Sequence, residues 1–210
     1  FRTINYTYFT DRNVEFEAFR GGNTDFWAEN SAKRWNTQYD FPAMIQGKIK
    51  REELPNEGRN NGVMVGFIPN LRREKFQDVR VREALNYAFD FETLRRTIFY
   101  GSYDRVDSYF FGSELASSGL PQGKELEILT ELKAEVPPSV FTEPYKNPVA
   151  GDKAKLRQNL RQALALFQAA GYEIRGNKMV NAKTGAPFSF EIMLNTPIIE
   201  PVALSFAANL

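Results

Sequence analysis

The apolar residues between Asp152 and Gly171 recur at the spacing that places them on one face of an α-helix. They are Leu156, Leu160, Ala163, Leu164, Phe167 and Ala170. Asp152 can cap the free backbone amides of the first turn, and Gly171 can adopt the left-handed conformation that ends a helix. This stretch therefore predicts a long amphipathic helix.

Further helices are predicted in the first half of the chain. One begins after Asp78, and another begins at Asp90 and ends at Gly101. Their apolar positions at helical spacing are Val81, Ala84, Leu85, Ala88 and Phe89, followed by Leu94 and Ile98. A shorter helix is predicted over residues 14–20, because a pair of glycines follows it. Its inward-facing residues are expected to be Val14, Phe16 or Phe19, and Ala18.

Four segments have the composition of β-strands, at residues 3–9, 25–27, 63–68 and 188–194. The run at 63–68 is nearly continuous in apolar residues, which is typical of a strand covered on both faces. In the last segment one face carries Phe188, Phe190, Ile192 and Leu194, because side chains alternate along a strand. The first two segments and the helix between them predict a strand–helix–strand unit, and a central position in a sheet is expected for 63–68.

Two stretches read as exposed connections. Residues 51–62 are polar and glycine-rich, and residues 102–151 are rich in Pro, Gly, Ser and aromatic side chains with little periodicity. We interpret 102–151 as a long excursion over the surface, and long ordered loops often carry function. The chain opens in a predicted strand and stops within a predicted helix, so we expect a piece of a longer protein.

The composition excludes several classes of site. The chain has 27 basic and 26 acidic residues, so it lacks the strong positive field that recruits nucleic acid. It contains no cysteine and no histidine, which removes thiol nucleophiles, imidazole bases and the usual zinc and haem ligands. We therefore expect no metal, no cofactor and no nucleic-acid partner.

Four ordered segments carry a resemblance to a known family. They read GGNTDFWAENSAKRW at 21–35, FQDVRVREALNYAFDFETL at 76–94, FYGSYDRVDSYF at 99–110 and ALALFQAAGYEIRGNKMVNAKTGAPFSFEIML at 163–194. The chain resembles the family 5 extracellular solute-binding proteins of oligopeptide and dipeptide ABC importers over nearly its whole length. The stretches at 29–43, 108–121 and 142–151 are most similar to the YejA-like branch, which is linked to uptake of peptides and microcin C.

The resemblance implies a periplasmic-binding-protein-like lobe of the α/β class, with an open mixed sheet flanked by helices. Two such lobes close over a solute like a clamshell. Residues 1–210 are then expected to form mainly the second, C-terminal lobe. It also implies a periplasmic monomer, with peptides or peptide-like solutes such as microcin C and the membrane permease subunits as partners. An alternative is a stand-alone protein-interaction or sensory module built on the same lobe.

The first candidate site lies where a predicted strand gives way to a helix. In an open α/β sheet, ligands contact loops at such points. Asn195 and Thr196 can offer donors and acceptors to a peptide backbone there, and the amides at the helix start can face a carboxylate. The alternative is that the two residues only cap the following helix.

A second candidate group follows the strand predicted at 25–27. Trp27, Glu29, Asn30 and Trp35 combine two indoles with a carboxylate and an amide. Glu29 can pair with a peptide ammonium group, and the tryptophans can stack on apolar side chains. The alternative is that both tryptophans belong to the core.

Two weaker candidates complete the set. Asn70 and Arg72 follow the strand predicted at 63–68, and Arg72 can bind a peptide carboxylate, although a solvated surface is the more usual role. Tyr109 and Phe110 can line a pocket or fill the core. No nucleophile elbow, P-loop or dinucleotide fingerprint occurs in the sequence, so we do not expect an enzyme.

Overall fold

The computed structural model of the chain describes residues 2–54 and 64–210, and helices dominate it. The α-helices are α1 (Arg12–Arg20), α2 (Ala32–Thr37), α3 (Pro42–Ile45), α4 (Val79–Tyr87), α5 (Phe91–Thr97), α6 (Gly123–Glu131), α7 (Lys153–Ala169) and α8 (Glu200–Asn209). Short 3₁₀ helices lie at Glu74–Phe76, Pro138–Phe141 and Pro197–Ile199. Within the described ranges, no helix combines the length and the apolar character needed to cross a membrane.

Aspartates begin three of these helices as the sequence predicts. The carboxylate of Asp78 accepts a hydrogen bond from the amide of Arg80 at 2.9 Å. Asp90 accepts one from the amide of Thr93 at 3.0 Å, and Asp152 accepts one from the amide of Lys155 at 2.8 Å. Each bond satisfies a backbone donor that has no partner inside its helix.

The larger core forms where α4 packs against α7. Buried residues Val81 and Ala84 of α4 belong to the same apolar cluster as Ala163 and Phe167 of α7, together with Phe206 of α8. The amphipathic pattern that predicted α7 is therefore confirmed, since its apolar face is the face that packs. Gly171 follows the helix with φ +87°, the left-handed conformation expected of a stop signal.

A smaller core lies in the N-terminal part of the chain and is almost entirely aromatic. Its buried residues Phe16, Phe19 and Phe41 are covered by partly buried neighbours that include Trp27 and Tyr39. The glycine pair ends α1 as predicted, and the amide of Gly21 donates to the carbonyl of Glu17 at 2.9 Å. Val14 is the exception among the predicted inward residues, because it is 57% exposed.

The sheet is an antiparallel hairpin of β1 (Tyr172–Arg175) and β2 (Lys178–Asn181). Its turn residues Gly176 and Asn177 have φ of +55° and +65°, as a tight two-residue turn requires. The amide of Phe188 donates to the carbonyl of Met179 at 2.8 Å, so the chain after the hairpin begins to run alongside β2.

The helix-dominated lobe with its small sheet fits the α/β class, but the individual strand predictions were wrong. Residues 3–9, 25–27, 64–68 and 188–194 are not strands, since within the described chain no neighbouring strand pairs along them. Residue 63 lies outside the described residues. Val65 and Ile68 are 78% and 88% exposed, so this segment is not covered on both faces.

The two predicted connections have different outcomes. Residues 51–54 are exposed, and residues 55–62 lie outside the described ranges. Within 102–151 the chain forms α6, a helix that the sequence reading did not predict and that has no buried residue. The role of 102–151 as a surface excursion stays a prediction.

Candidate ligand-binding site

The carboxylate of Glu29 lies at the centre of a hydrogen-bonded group beside the aromatic cluster. It accepts bonds from the Trp27 indole nitrogen and the Tyr39 hydroxyl, both at 3.1 Å. The backbone amides of Asn30 and Ser31 donate to its other oxygen at 3.0 and 2.8 Å. The Glu29 side chain is only 3% exposed. Its acceptor capacity is thus taken up by the chain itself, and it is not open to a peptide ammonium group.

The charge of Glu29 is balanced by Arg34, whose guanidinium lies 3.6 Å away. That guanidinium also covers the ring of Phe16, at 4.7 Å from the ring centre. Desolvation by burial, followed by the nearby Glu29 charge, raises the pKa of the Tyr39 hydroxyl. The sequence analysis missed Arg34 and Tyr39, although Arg34 lies one helical turn after Ser31, which caps α2.

Trp27 and Trp35 occupy different environments. Trp27 stacks on Phe19 with ring centres 6.2 Å apart and belongs to the aromatic cluster, which supports the core interpretation. The indole nitrogen of Trp35 donates to Glu53 at 3.1 Å, and Arg51 lies over its ring at 4.5 Å. Asn30 is exposed, and its carbonyl accepts a bond from the Tyr103 hydroxyl at 3.5 Å.

An open cleft of about 310 Å³ lies at the start of α8. It is lined by Leu194, Asn195, Thr196, Pro197 and Glu200. Asn195 and Thr196 therefore line one shallow, open depression of the surface, and their role in ligand binding stays a prediction. Glu200, in the first turn of α8, adds a carboxylate to the same cleft.

Asn195 and Thr196 have different structural roles in this cleft. The hydroxyl oxygen of Thr196 accepts a bond from the amide of Ile198 at 3.4 Å, which makes it a cap. The Asn195 side chain is exposed and makes no side-chain hydrogen bond to another residue in the described ranges. Glu200 was missed by the sequence analysis, although an acidic residue in the first turn is a usual signal of a helix start.

The weaker candidates lie on the surface. The Asn70 side-chain oxygen accepts bonds from the amide and the guanidinium of Arg72, at 3.1 and 3.2 Å. Asn70 therefore holds the Arg72 side chain close to the backbone. Tyr109 and Phe110 are 75% and 50% exposed, so they do not fill the core.

A second cleft, of about 500 Å³, lies between α2, α5 and the chain that follows α5. It is lined by Asn36, Glu92, Arg95, Arg96, Tyr100 and Gly101. Its two guanidinium groups already have partners, because Arg95 pairs with Asp104 at 3.1 Å and Arg96 donates to the carbonyl of Gly151 at 3.3 Å. The opposite charges in this cleft favour neither anions nor cations.

Comparison with known proteins places the chain among binding proteins. The family model of the bacterial extracellular solute-binding proteins, family 5 Middle, matches residues 1–210. The uncharacterized protein y4wM of Sinorhizobium fredii is 60% identical over 210 residues, covering 100% of this chain and 32% of that protein. The probable peptide-binding protein YejA of Agrobacterium fabrum is 57% identical, covering 100% of this chain and 34% of that protein.

A more distant relative also matches most of this chain and about a third of its own length. The uncharacterized protein YejA of Escherichia coli is 40% identical over 194 residues, which are 92% of this chain and 32% of that protein. The chain therefore spans about a third of the length of the relatives it matches. Because the family model matches from the first residue to the last, the chain belongs to the bacterial extracellular solute-binding proteins of family 5.

Proposed function

We propose that this chain is part of the substrate-binding component of an ABC importer, which binds peptides in the periplasm and delivers them to the membrane permease. Membership of family 5 supports the transport role, and the similarity to a probable peptide-binding protein supports peptides as the solute. Peptide-like solutes of the microcin C type belong to the same proposal. The protein would act as a monomer and without catalysis.

The observation that carries the proposal is the cleft at the start of α8. It offers the exposed amide of Asn195 and the carboxylate of Glu200 on one concave surface. A peptide presents main-chain donors and acceptors along its length and an ammonium group at one end. Asn195 can bind a main-chain amide or carbonyl, and Glu200 can bind the ammonium through a charge-assisted hydrogen bond.

The remaining candidates receive narrower roles in this proposal. Tyr109 and Phe110 are exposed aromatic side chains that suit contacts with the apolar side chains of a peptide. Arg72, held by Asn70, suits a peptide carboxylate. Trp27 and Glu29 would stabilise the aromatic cluster rather than contact the solute, since Glu29 already has its partners, whereas Asn30 and Trp35 lie outside that cluster and stay candidate contacts.

Calorimetric titration of the full-length protein tests the proposal. A mixed library of short peptides should give saturable heat, and one responding peptide is then compared with its N-acetylated form. Acetylation and the Glu200→Gln substitution should each weaken binding by about tenfold or more, since hydrogen bonds to charged groups contribute about 1.5–3 kcal/mol. Their effects should not add, because both remove the same contact.

The matched control is Glu127→Gln, an equivalent change on the exposed helix α6. It should leave the affinity unchanged. Folded full-length protein that binds no peptide would contradict the transport role and favour the interaction module. Peptide binding that is insensitive to Glu200→Gln would support transport but place the ammonium elsewhere.

A further inference from the structure

The backbone of residues 147–151 is held by side chains rather than by other backbone groups. Within the described ranges, no hydrogen bond joins the main chain of this segment to another main-chain group. Instead, the amide of Ala150 donates to the carboxylate of Glu92 at 2.8 Å, and the amide of Gly151 donates to that of Asp90 at 3.0 Å. Both acceptors lie at the start of α5.

Two carbonyl groups of the same segment are held from other directions. The guanidinium of Arg105 donates to the carbonyl of Pro148. The side-chain nitrogen of Asn159, in α7, donates to the carbonyl of Val149 at 3.2 Å, and Asn159 is only 9% exposed. Four consecutive residues therefore each have a main-chain group that is bound by a different side chain.

Arg105 joins this segment to α4. Its guanidinium also donates to the side-chain oxygen of Asn86 at 2.7 Å and lies 5.6 Å from the ring centre of Phe89. Burial lowers the pKa of Arg105, and the charge of Glu92 partly offsets that effect. A planar guanidinium can donate to two acceptors in a fixed geometry. Arg105 is thus placed to hold the carbonyl of Pro148 against α4.

The same segment closes a loop in the chain. The side-chain nitrogen of Asn147 donates to the carbonyl of Val106 at 2.9 Å, which joins two positions 41 residues apart. Asn86 of α4 donates to the side-chain oxygen of Asn147 at 3.3 Å. The stretch between the two positions carries Tyr109 and Phe110. The position of that stretch relative to α4 therefore depends on whether the segment is attached.

We propose that residues 147–151 form a strap that attaches to the lobe and detaches from it as one unit, and that Arg105 is the positioning residue that holds the strap closed. The bonds hold consecutive residues, so the loss of one loosens the next, which makes opening cooperative. Opening breaks no helix and neither core cluster. It releases the stretch that carries Tyr109 and Phe110. The strap acts in this way whatever solute the protein binds.

Hydrogen exchange of the full-length protein, read by mass spectrometry at single-residue resolution, tests the strap. Arg105→Gln and Asn159→Ala alter neither the amide of Ala150 nor that of Gly151. Each substitution should nevertheless speed exchange at both amides by about tenfold, because it removes a bond that holds the strap closed. The matched control is Arg82→Gln, since Arg82 also donates to main-chain carbonyls, but away from the strap. It should leave both exchange rates unchanged.

Two results with these variants would overturn the proposal. One is unchanged exchange at Ala150 or at Gly151 in the Arg105→Gln protein, because the strap would then not open as one unit. The other is an equal acceleration at amides within α7, because the substitution would then act through global unfolding.

The urea dependence of exchange in the unsubstituted protein decides the question even if a variant does not fold. Opening of the strap exposes little surface, so exchange at Ala150 and Gly151 should depend on urea equally, and more weakly than exchange within α7. Different dependences at the two amides would contradict a single unit. A dependence as steep as that of α7 would show that the segment leaves only when the protein unfolds, which would also overturn the proposal.

Discussion

The carboxylate of Glu29 accepts a hydrogen bond from the indole nitrogen of Trp27 at 3.1 Å, in a site where the Glu29 side chain is only 3% exposed. The same carboxylate binds the Tyr39 hydroxyl and two backbone amides. A buried charge is tolerated only when such partners surround it. Glu29 therefore anchors the loop between Trp27 and α2 and fixes the position of Trp27.

Removing the Glu29 charge should strongly destabilise the protein. Glu29→Gln leaves the guanidinium of Arg34 without its counterion in a site where only 12% of that side chain is exposed. Breaking one partner of a buried ion pair costs about 3–5 kcal/mol. The control Glu15→Gln removes the exposed pair with Arg12 and should cost less than about 1 kcal/mol. Urea denaturation of the full-length protein measures the unfolding free energy of both variants. Equal losses of unfolding free energy would contradict the anchoring role of Glu29.

Tyr39 should make the protein less stable in alkaline solution. Burial and the Glu29 charge raise the pKa of Tyr39 in the folded state above the value of about 10 that tyrosine has when unfolded. Above that pH the unfolded chain loses the proton first, so the free energy of unfolding falls as pH rises. Tyr39→Phe removes this dependence. Unfolding free energies between pH 8 and pH 11 should fall less steeply in the variant, and parallel curves would refute the assignment.

Helices α4, α5 and α7 were predictable because their signals are local, whereas α2, α3 and α6 were not predicted. Asp78, Asp90 and Asp152 cap amides within three residues of themselves, and the apolar stripe of α7 is visible in the sequence alone. The strands were not, because a strand exists only when another segment pairs with it. Residues 188–194 show the difference, since their side chains alternate in burial as predicted while the ladder partner is missing from the described chain.

The candidate site can be compared with the sequence in the same way. Asn195 and Thr196 were chosen because the composition changes there from strand-like to helix-like; the structure has no strand directly before them in the described chain, but both residues line the cleft at the start of α8, and their role in ligand binding stays a prediction. The prediction that Glu29 contacts a ligand was wrong, because its carboxylate already accepts hydrogen bonds from within the chain. One of the donors is the Tyr39 hydroxyl, ten residues away in the sequence, which no local pattern reveals. Sequence shows that a carboxylate lies beside two tryptophans but does not show which donors reach it.

Asp90 joins the start of α5 to a distant part of the chain, and its removal should be costly. It is 6% exposed and accepts bonds from the amides of Thr93 and Gly151, the latter 61 residues away. Asp90→Ala should lower the free energy of unfolding by about 3 kcal/mol, since a cap and a buried long-range acceptor are lost together.

Asp11 provides the matched control, because it caps α1 with two local bonds and is exposed. Asp11→Ala should cost about 1 kcal/mol, the usual value for a cap. Thermal or urea denaturation compares the two variants. Similar losses would show that the bond from Gly151 to Asp90 contributes little.

Two glycines with the same backbone angle should respond differently to alanine. Gly151 and Gly171 both have φ +87°, but a Cβ atom at Gly151 would lie 2.9 Å from Cβ of Glu92, whereas at Gly171 nothing lies within 4 Å. Gly171→Ala should cost about 1 kcal/mol through the left-handed conformation alone. Gly151→Ala should cost about 3 kcal/mol, because the clash adds to it. Equal losses in unfolding free energy would contradict the close packing at Gly151.

Photo-crosslinking of the full-length protein with a short peptide that carries a benzophenone beside its free N-terminus tests the central claim most directly. If the peptide ammonium binds Glu200 beside Asn195, the adducts found by tandem mass spectrometry should lie within residues 194–200. An excess of unlabelled peptide should remove them, and Glu200→Gln should reduce them, whereas Glu127→Gln should not. Competed adducts that lie elsewhere, with none at 194–200, would contradict the account.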